Sequence, residues 1–122
     1  MHNLDMESQL SPHFKRGEFA CHCGCGFATP DAELLQVLEI IRDYFGEPVA
    51  INSACRCVDH NRSEGGALNS THIMGIAADI TVKNTSPAQV ESFLMERFPD
   101  RYGRKGYKTF THVDVRLNFA HW

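Results

Sequence analysis

The residues best suited to chemistry stand in two short segments. His72 and Asp79 are separated by six residues in His72-Ile-Met-Gly-Ile-Ala-Ala-Asp79, and His112 and Asp114 lie in Thr111-His112-Val113-Asp114-Val115-Arg116. Both segments are rich in β-branched residues and read as strands, so side chains alternate between two faces. On that alternation Asp79 and Thr81 share one face, and Ile80 and Val82 the other. His112, Asp114 and Arg116 likewise oppose Val113 and Val115. A carboxylate in the middle of an apolar strand is costly unless it is paired or binds a metal. Two strands that each turn ionisable groups to one side suggest one shared polar site. Two histidines and one carboxylate form a common catalytic zinc set that leaves a position for water. Zinc lowers the pKa of such a water toward ~7 and polarises a carbonyl, as amide hydrolysis requires. A cluster of structurally satisfied histidines fits the spacing equally well at this point.

A second group is the run Cys21-His22-Cys23-Gly24-Cys25-Gly26, with Cys55 and Cys57 further on. Five cysteines cannot be fully paired within one chain. The Cys-x-Cys-x-Cys spacing differs from the Cys-x2-Cys of common structural zinc sites. Three readings stand: a second metal at Cys21, Cys23 and Cys25, a disulfide from this loop to Cys55 or Cys57, or buried and free thiols in a tight glycine turn.

The elements that must position these groups follow from periodicity. Residues 1–28 show no sustained period, with 1–13 expected to be a flexible lead-in. Phe14, Phe19 and Phe27 are expected to tuck a glycine-rich loop against the body. A helix is expected from Thr29 as cap with Pro30 in its first turn, and its apolar stripe is Leu34, Leu38, Ile41 and Phe45. Gly46 and Pro48 end it. Val49 to Asn52 reads as a short strand, Cys55 to Arg62 as a turn of helix, and Ser63 to Thr71 as a polar loop. Gly75 to Val82 is the next strand. Ser86-Pro87-Ala88-Gln89 is a capping box that opens a second helix with the stripe Val90, Phe93, Leu94 and Phe98. A loop holding Gly103 and Gly106 leads into a last strand, Thr109 to Arg116. The order predicts one α+β domain over 1–122, a small antiparallel or mixed sheet with flanking helices.

Composition narrows the class. With 43% hydrophobic and 22% charged residues the chain is an ordinary globular protein, and its net charge of −3 argues against a nucleic-acid partner. No stretch reaches the ~20 apolar residues of a membrane span. Met1 to Leu10 lacks the apolar core of a secretory signal. The expectation is a monomer made in the cytoplasm. There is no Gly-Lys-Ser/Thr phosphate loop and no Ser/His/Asp or Cys/His nucleophile pattern. His2, His13, His22 and His121 are expected to be solvated, and His60 to be a structural hydrogen-bonder.

Ser70-Thr71-His72-Ile73-Met74-Gly75-Ile76-Ala77-Ala78-Asp79, with His112-Val113-Asp114, resembles the zinc D-Ala-D-Ala carboxypeptidase family, peptidase M15. The resemblance is to its short single-domain branch, which includes phage and prophage endolysins. It extends to Phe19 to Gly26, to Asn52-Ser53-Ala54-Cys55-Arg56-Cys57-Val58-Asp59-His60-Asn61, to Gly65 to Ser70 and to Trp122. It implies a hedgehog/D-Ala-D-Ala-peptidase-like fold, zinc on His72, Asp79 and His112, and a peptidoglycan stem peptide as substrate. Arg56 matches an arginine that in relatives binds substrate or stabilises the oxyanion, a task its planar fork suits. Ser70, Tyr107 and Glu64 are candidate cleft-lining residues. Some relatives carry a Glu or Asp three residues before the last zinc histidine, where this chain has Thr109. Others have His-x-His, where it has His112 and Asp114. Asp114 is therefore expected as general base, with a ligand role, an orienting role behind His112, or a surface pair with Arg116 as the alternatives.

The resemblance implies a D,D-carboxypeptidase or an endolysin-type endopeptidase acting on the cell wall; the missing secretory signal favours release by lysis or carriage on a phage particle, with the periplasm as the alternative if a signal was removed. A non-catalytic zinc module of the same fold is the alternative from another class. A cysteine-centred metal or redox protein is a third.

Overall fold

A computed structural model describes residues 6–63, 71–72, 75–116 and 120–121. In chain order the elements are β1 (Gln9–Ser11), β2 (Phe14–Lys15), a 3-10 turn (Arg16–Phe19), α1 (Ala32–Phe45), β3 (Val49–Ser53), α2 (Val58–Ser63), β4 (Ala77–Val82), α3 (Pro87–Arg97), β5 (Gly103–Gly106), β6 (Thr111–Asp114) and β7 (Ala120–His121). β1 and β2 form a hairpin, and the others a five-stranded sheet in the order β3-β4-β6-β5-β7, antiparallel except for the parallel β5–β7 pair. This is the expected α+β fold with a mixed sheet.

The helices follow their apolar stripes. Leu34, Val37, Leu38 and Ile41 of α1 and Val90, Phe93 and Leu94 of α3 are buried. They join Ala78, Ile80, Val82 and Val113 of the sheet in one core, so both helices cover one sheet face. The opposite face carries Asp79, His112 and Asp114, as alternation requires. α3 starts on the expected box, with Ser86 and Gln89 exchanging side-chain and backbone hydrogen bonds. α1 starts two residues later than expected. Its cap is Asp31, whose Oδ1 accepts from the Glu33 N–H at 2.8 Å. Thr29 is occupied elsewhere: its hydroxyl accepts from Arg16, and its carbonyl lies where a Cβ on Gly75 would have to go.

Two further stretches differ from expectation. Within the 1–13 lead-in, Gln9–Ser11 pairs with β2, and Glu39 on α1 accepts from Ser11 Oγ (2.7 Å) and the His13 N–H (2.8 Å). His13 Nδ1 meets the other oxygen of Glu39 at 2.6 Å, so this histidine is anchored rather than simply solvated. Burial alone would raise the Glu39 carboxyl, but the Ser11 and His13 bonds hold it below its ordinary pKa. The Gly103–Gly106 stretch, expected as a loop, is strand β5. It pairs with β6, and Arg104, fully buried, donates to the carbonyls of Leu94, Phe98, Pro99 and Arg101. One guanidinium thus ties together the Leu94 carbonyl in the last turn of α3 and three carbonyls of the turn that follows it. Among the described residues no helix is long and apolar enough to cross a membrane.

Candidate metal centre

The sheet register assembles the site. Asp79 is the direct partner of His112 across β4 and β6, Ser53 on β3 faces Asp79, and Lys105 on β5 faces His112. Antiparallel partners point to the same face, so one row of side chains crosses four strands. His72 comes in from the turn before β4. Its imidazole Nε2 lies 3.2 Å from Asp79 Oδ1, and His112 Nδ1 lies 2.9 Å from the same oxygen. The two rings are edge to face, with centroids 5.2 Å apart. A tetrahedral ion with bonds of ~2.0–2.2 Å would set its ligand atoms at about 3.4 Å from one another, close to these separations.

The partners behind the two rings fit the cluster to hold a cation. His72 Nδ1 is 2.6 Å from the Ala54 carbonyl, which can only accept, so Nδ1 carries the hydrogen and Nε2 keeps its lone pair. His112 Nε2 is 2.9 Å from Asp114 Oδ2. Asp114 is fully buried and is held ionised by Arg116, whose Nε and Nη2 donate to its two oxygens at 2.7 and 2.5 Å. Burial alone would raise the Asp114 carboxyl; the His112 and Arg116 hydrogen bonds reverse this and hold it well below the usual carboxylate range. An ionised Asp114 takes the Nε2–H of a neutral His112 and leaves a lone pair on Nδ1. In that protonation state two ring lone pairs and a carboxylate oxygen face one another, the arrangement a cation would satisfy. A backbone carbonyl and a carboxylate behind the two rings are the usual support for metal-binding histidines.

Burial favours neutral His112, but hydrogen bonds to Asp114 and Asp79 outweigh it and push its pKa up. Asp79 goes the other way. Burial would raise it, while His112 and His72 hold it well below the usual range. The fit of nitrogen, oxygen and nitrogen donors to a borderline-soft ion such as zinc is good.

Asp114 lies behind His112. It meets Nε2, the edge of the imidazole opposite Nδ1, and is walled in by Ala77 and Gly103 as cross-strand partners. Gly103 has no room for a side chain, because a Cβ there would collide with both Asp114 oxygens. The Gly103 N–H and the Thr71 hydroxyl also donate to Asp114. The structure thus places Asp114 on the Nε2 edge of His112, away from the Asp79 oxygen that meets Nδ1. The surface pair with Arg116 is half true, since the pair exists but the carboxylate is buried.

Arg56 reaches the cluster from the loop after β3. Its Nη2 donates to Asp79 Oδ2 at 3.3 Å, Nη1 to Asn61 at 3.2 Å and Nε to Ser53 at 3.1 Å. Tyr107 is half exposed on the β5–β6 turn and stacks on Phe110, two residues past the strand partner of His112. Ser70 and Glu64, the 65–69 segment and Trp122 lie outside the described residues, as do the His60 and His121 side chains. Ser53, Asn61, Thr71 and the Ala54 carbonyl were not singled out from sequence. Only Asn61 carried a signal, as a polar residue on the inner side of a short helix.

A family model for peptidase M15 matches residues 12–114. The chain belongs to the peptidase M15 family. No curated protein matches the sequence. The matched span contains His72, Asp79, His112 and Arg56, so the M15 region carries the whole cluster. The peptidase family is zinc-dependent in general, in keeping with the donor set of this M15 chain.

Proposed function

We propose that this chain is a zinc peptidase that hydrolyses amide bonds of bacterial peptidoglycan stem peptides. The observation that carries the reading is the convergence of His72 Nε2 and His112 Nδ1 on Asp79 Oδ1, at 3.2 and 2.9 Å, within the M15-matched span. When bound, zinc supplies a Lewis acid for a carbonyl and acidifies a water toward neutrality. Ala54 and Asp114 fix the ring orientations and tautomers that leave the ligand lone pairs pointing inward. Arg56, preset by Ser53 and Asn61, holds its guanidinium beside the cluster, where it grips a substrate carboxylate or steadies the oxygen of the attacked carbonyl. In this reading Tyr107 offers an aromatic surface to the peptide, Ser70 is a further substrate contact, and the place of action is the cell wall.

The test is to incubate the protein with peptidoglycan fragments, with and without a chelator, and to identify products by mass spectrometry. Chelator-sensitive release of free D-Ala marks a carboxypeptidase, and internally cut stem peptides an endopeptidase. No product after zinc is restored would sink the catalytic reading and leave a zinc-binding module.

Arg56 gives a second check. Charge-assisted hydrogen bonds are worth about 1.5–3 kcal/mol, so Arg56→Ala is expected to lower kcat/KM roughly 10- to 100-fold. Removing a positive charge beside Asp79 does not weaken the ligand set, so zinc content should be unchanged. Loss of zinc in this variant would reassign Arg56 as support for Asp79.

A further inference from the structure

The proposed reaction uses none of the cysteines, yet four of them meet. Cys21 and Cys23 Sγ are 3.4 Å apart, Cys23 and Cys57 3.6 Å, and Cys21 and Cys57 3.9 Å. Cys25 completes a set whose sulfurs all lie within 4.8 Å of one another. The geometry points to a second metal centre, a tetrathiolate site for zinc made by Cys21, Cys23, Cys25 and Cys57. Zn–S bonds of ~2.3 Å in a tetrahedron set the sulfurs about 3.8 Å apart, which the three separations bracket. A disulfide would instead draw one pair to ~2.05 Å and leave the others aside. None of the five cysteines is in a disulfide.

The chain is built to gather these sulfurs despite the unusual spacing. Gly24 and Gly26 adopt φ of +82° and +95°, the left-handed region, with nothing near where their Cβ atoms would be. They are needed for conformation rather than space, and they fold three alternate cysteines inward within five residues. The Cys21 N–H donates to Phe27 O at 2.8 Å and closes the loop, while the Cys55 N–H donates to Phe19 O at 3.1 Å and brings the end of β3 beside it. The Cys57 N–H then points at Cys21 Sγ, 3.4 Å away, an amide-to-sulfur bond of the kind that supports metal thiolates. Cys55 faces the other way into the apolar core. The odd count is thus four ligands and one core thiol. Soft sulfur donors in a tetrahedron select zinc or iron over hard cations.

The site would staple the 21–27 loop to the connector that carries Arg56, one residue before Cys57. The sulfur geometry carries it by itself; the expected count of two ions and the consequence for Arg56 rest on the proposed reading of the histidine cluster, and the cobalt thiolate spectrum separates the two. The test is native mass spectrometry and elemental analysis of the full chain, purified reduced and with zinc. The wild type is expected to hold two zinc ions. Cys23→Ser and Cys57→Ser should each hold one, Cys55→Ser two, and His72→Ala one. Cobalt replacement should give intense thiolate-to-cobalt charge-transfer absorption that Cys57→Ser removes and His72→Ala keeps. One zinc in the wild type, with a mass lower by two or four hydrogens, would overturn the proposal in favour of disulfides. Iron in place of zinc, or a cobalt spectrum without sulfur character, would also overturn it. Because the wild-type ion count and spectrum decide by themselves, a variant that fails to fold leaves the test intact.

Discussion

An Asp79→Ala variant is expected to cleave peptidoglycan peptides at background rate and to lose the ion held by the histidines, while keeping the cysteine-held one. Asp79 is the hub of the cluster: one of its oxygens faces both ring nitrogens, and the other accepts from Arg56. Without it, two imidazoles remain and a guanidinium loses its anionic partner, so the local field turns from attracting a cation to repelling one. Folding linkage gives an activity-free readout. An ion that binds only the folded state adds about 2.7 kcal/mol at a hundred times its Kd. In a Cys57→Ser background, added zinc should therefore raise the Tm of the parent and leave the Asp79→Ala protein unmoved. A zinc-dependent Tm shift that survives the substitution would remove Asp79 from the ligand set.

Asp114→Asn should also be severe, and for a different reason. The carboxylate accepts from His112, Arg116, Thr71 and the Gly103 N–H with no exposure to water. An asparagine of the same shape keeps one oxygen for the Gly103 and Arg116 donors but places an NH2 against His112 Nε2. The ring then changes tautomer, and its hydrogen moves to Nδ1, the nitrogen that faces Asp79 and would bind the metal. Zinc affinity is expected to fall roughly 10- to 100-fold, the usual effect of losing a ligand's supporting partner. Competition titration against a chelator measures it. Asp114→Ala should in addition cost about 3 kcal/mol of folding stability, because Arg116 and the Gly103 N–H lose their acceptor. An Asp114→Asn protein that binds zinc as tightly as the parent but has lost turnover would restore Asp114 as the base.

Much of this molecule is written in local patterns. The 3.6-residue stripes of α1 and α3, the Ser86 capping box and the two-residue alternation around Asp79 and His112 act between neighbours a few positions apart, so the sequence carries them openly. The anomaly of ionisable groups on apolar strands likewise pointed to the site before any fold was known. Other features depend on segments brought together from afar. Which edge of the His112 ring meets Asp79 and which meets Asp114 depends on a strand register across 33 residues and a rotamer chosen by packing. β5 is a strand through its pairing with β6, with Arg104 buried against carbonyls in and just past the last turn of α3, which no short window shows. Cys57 joins Cys21, Cys23 and Cys25 only because the 21–27 loop and the end of β3 are hydrogen-bonded side by side. Local spacing determined which residues are chemically out of place. The tertiary structure decided which atoms of those residues face one another, because lone pairs and protons are directional and a one-dimensional spacing is not.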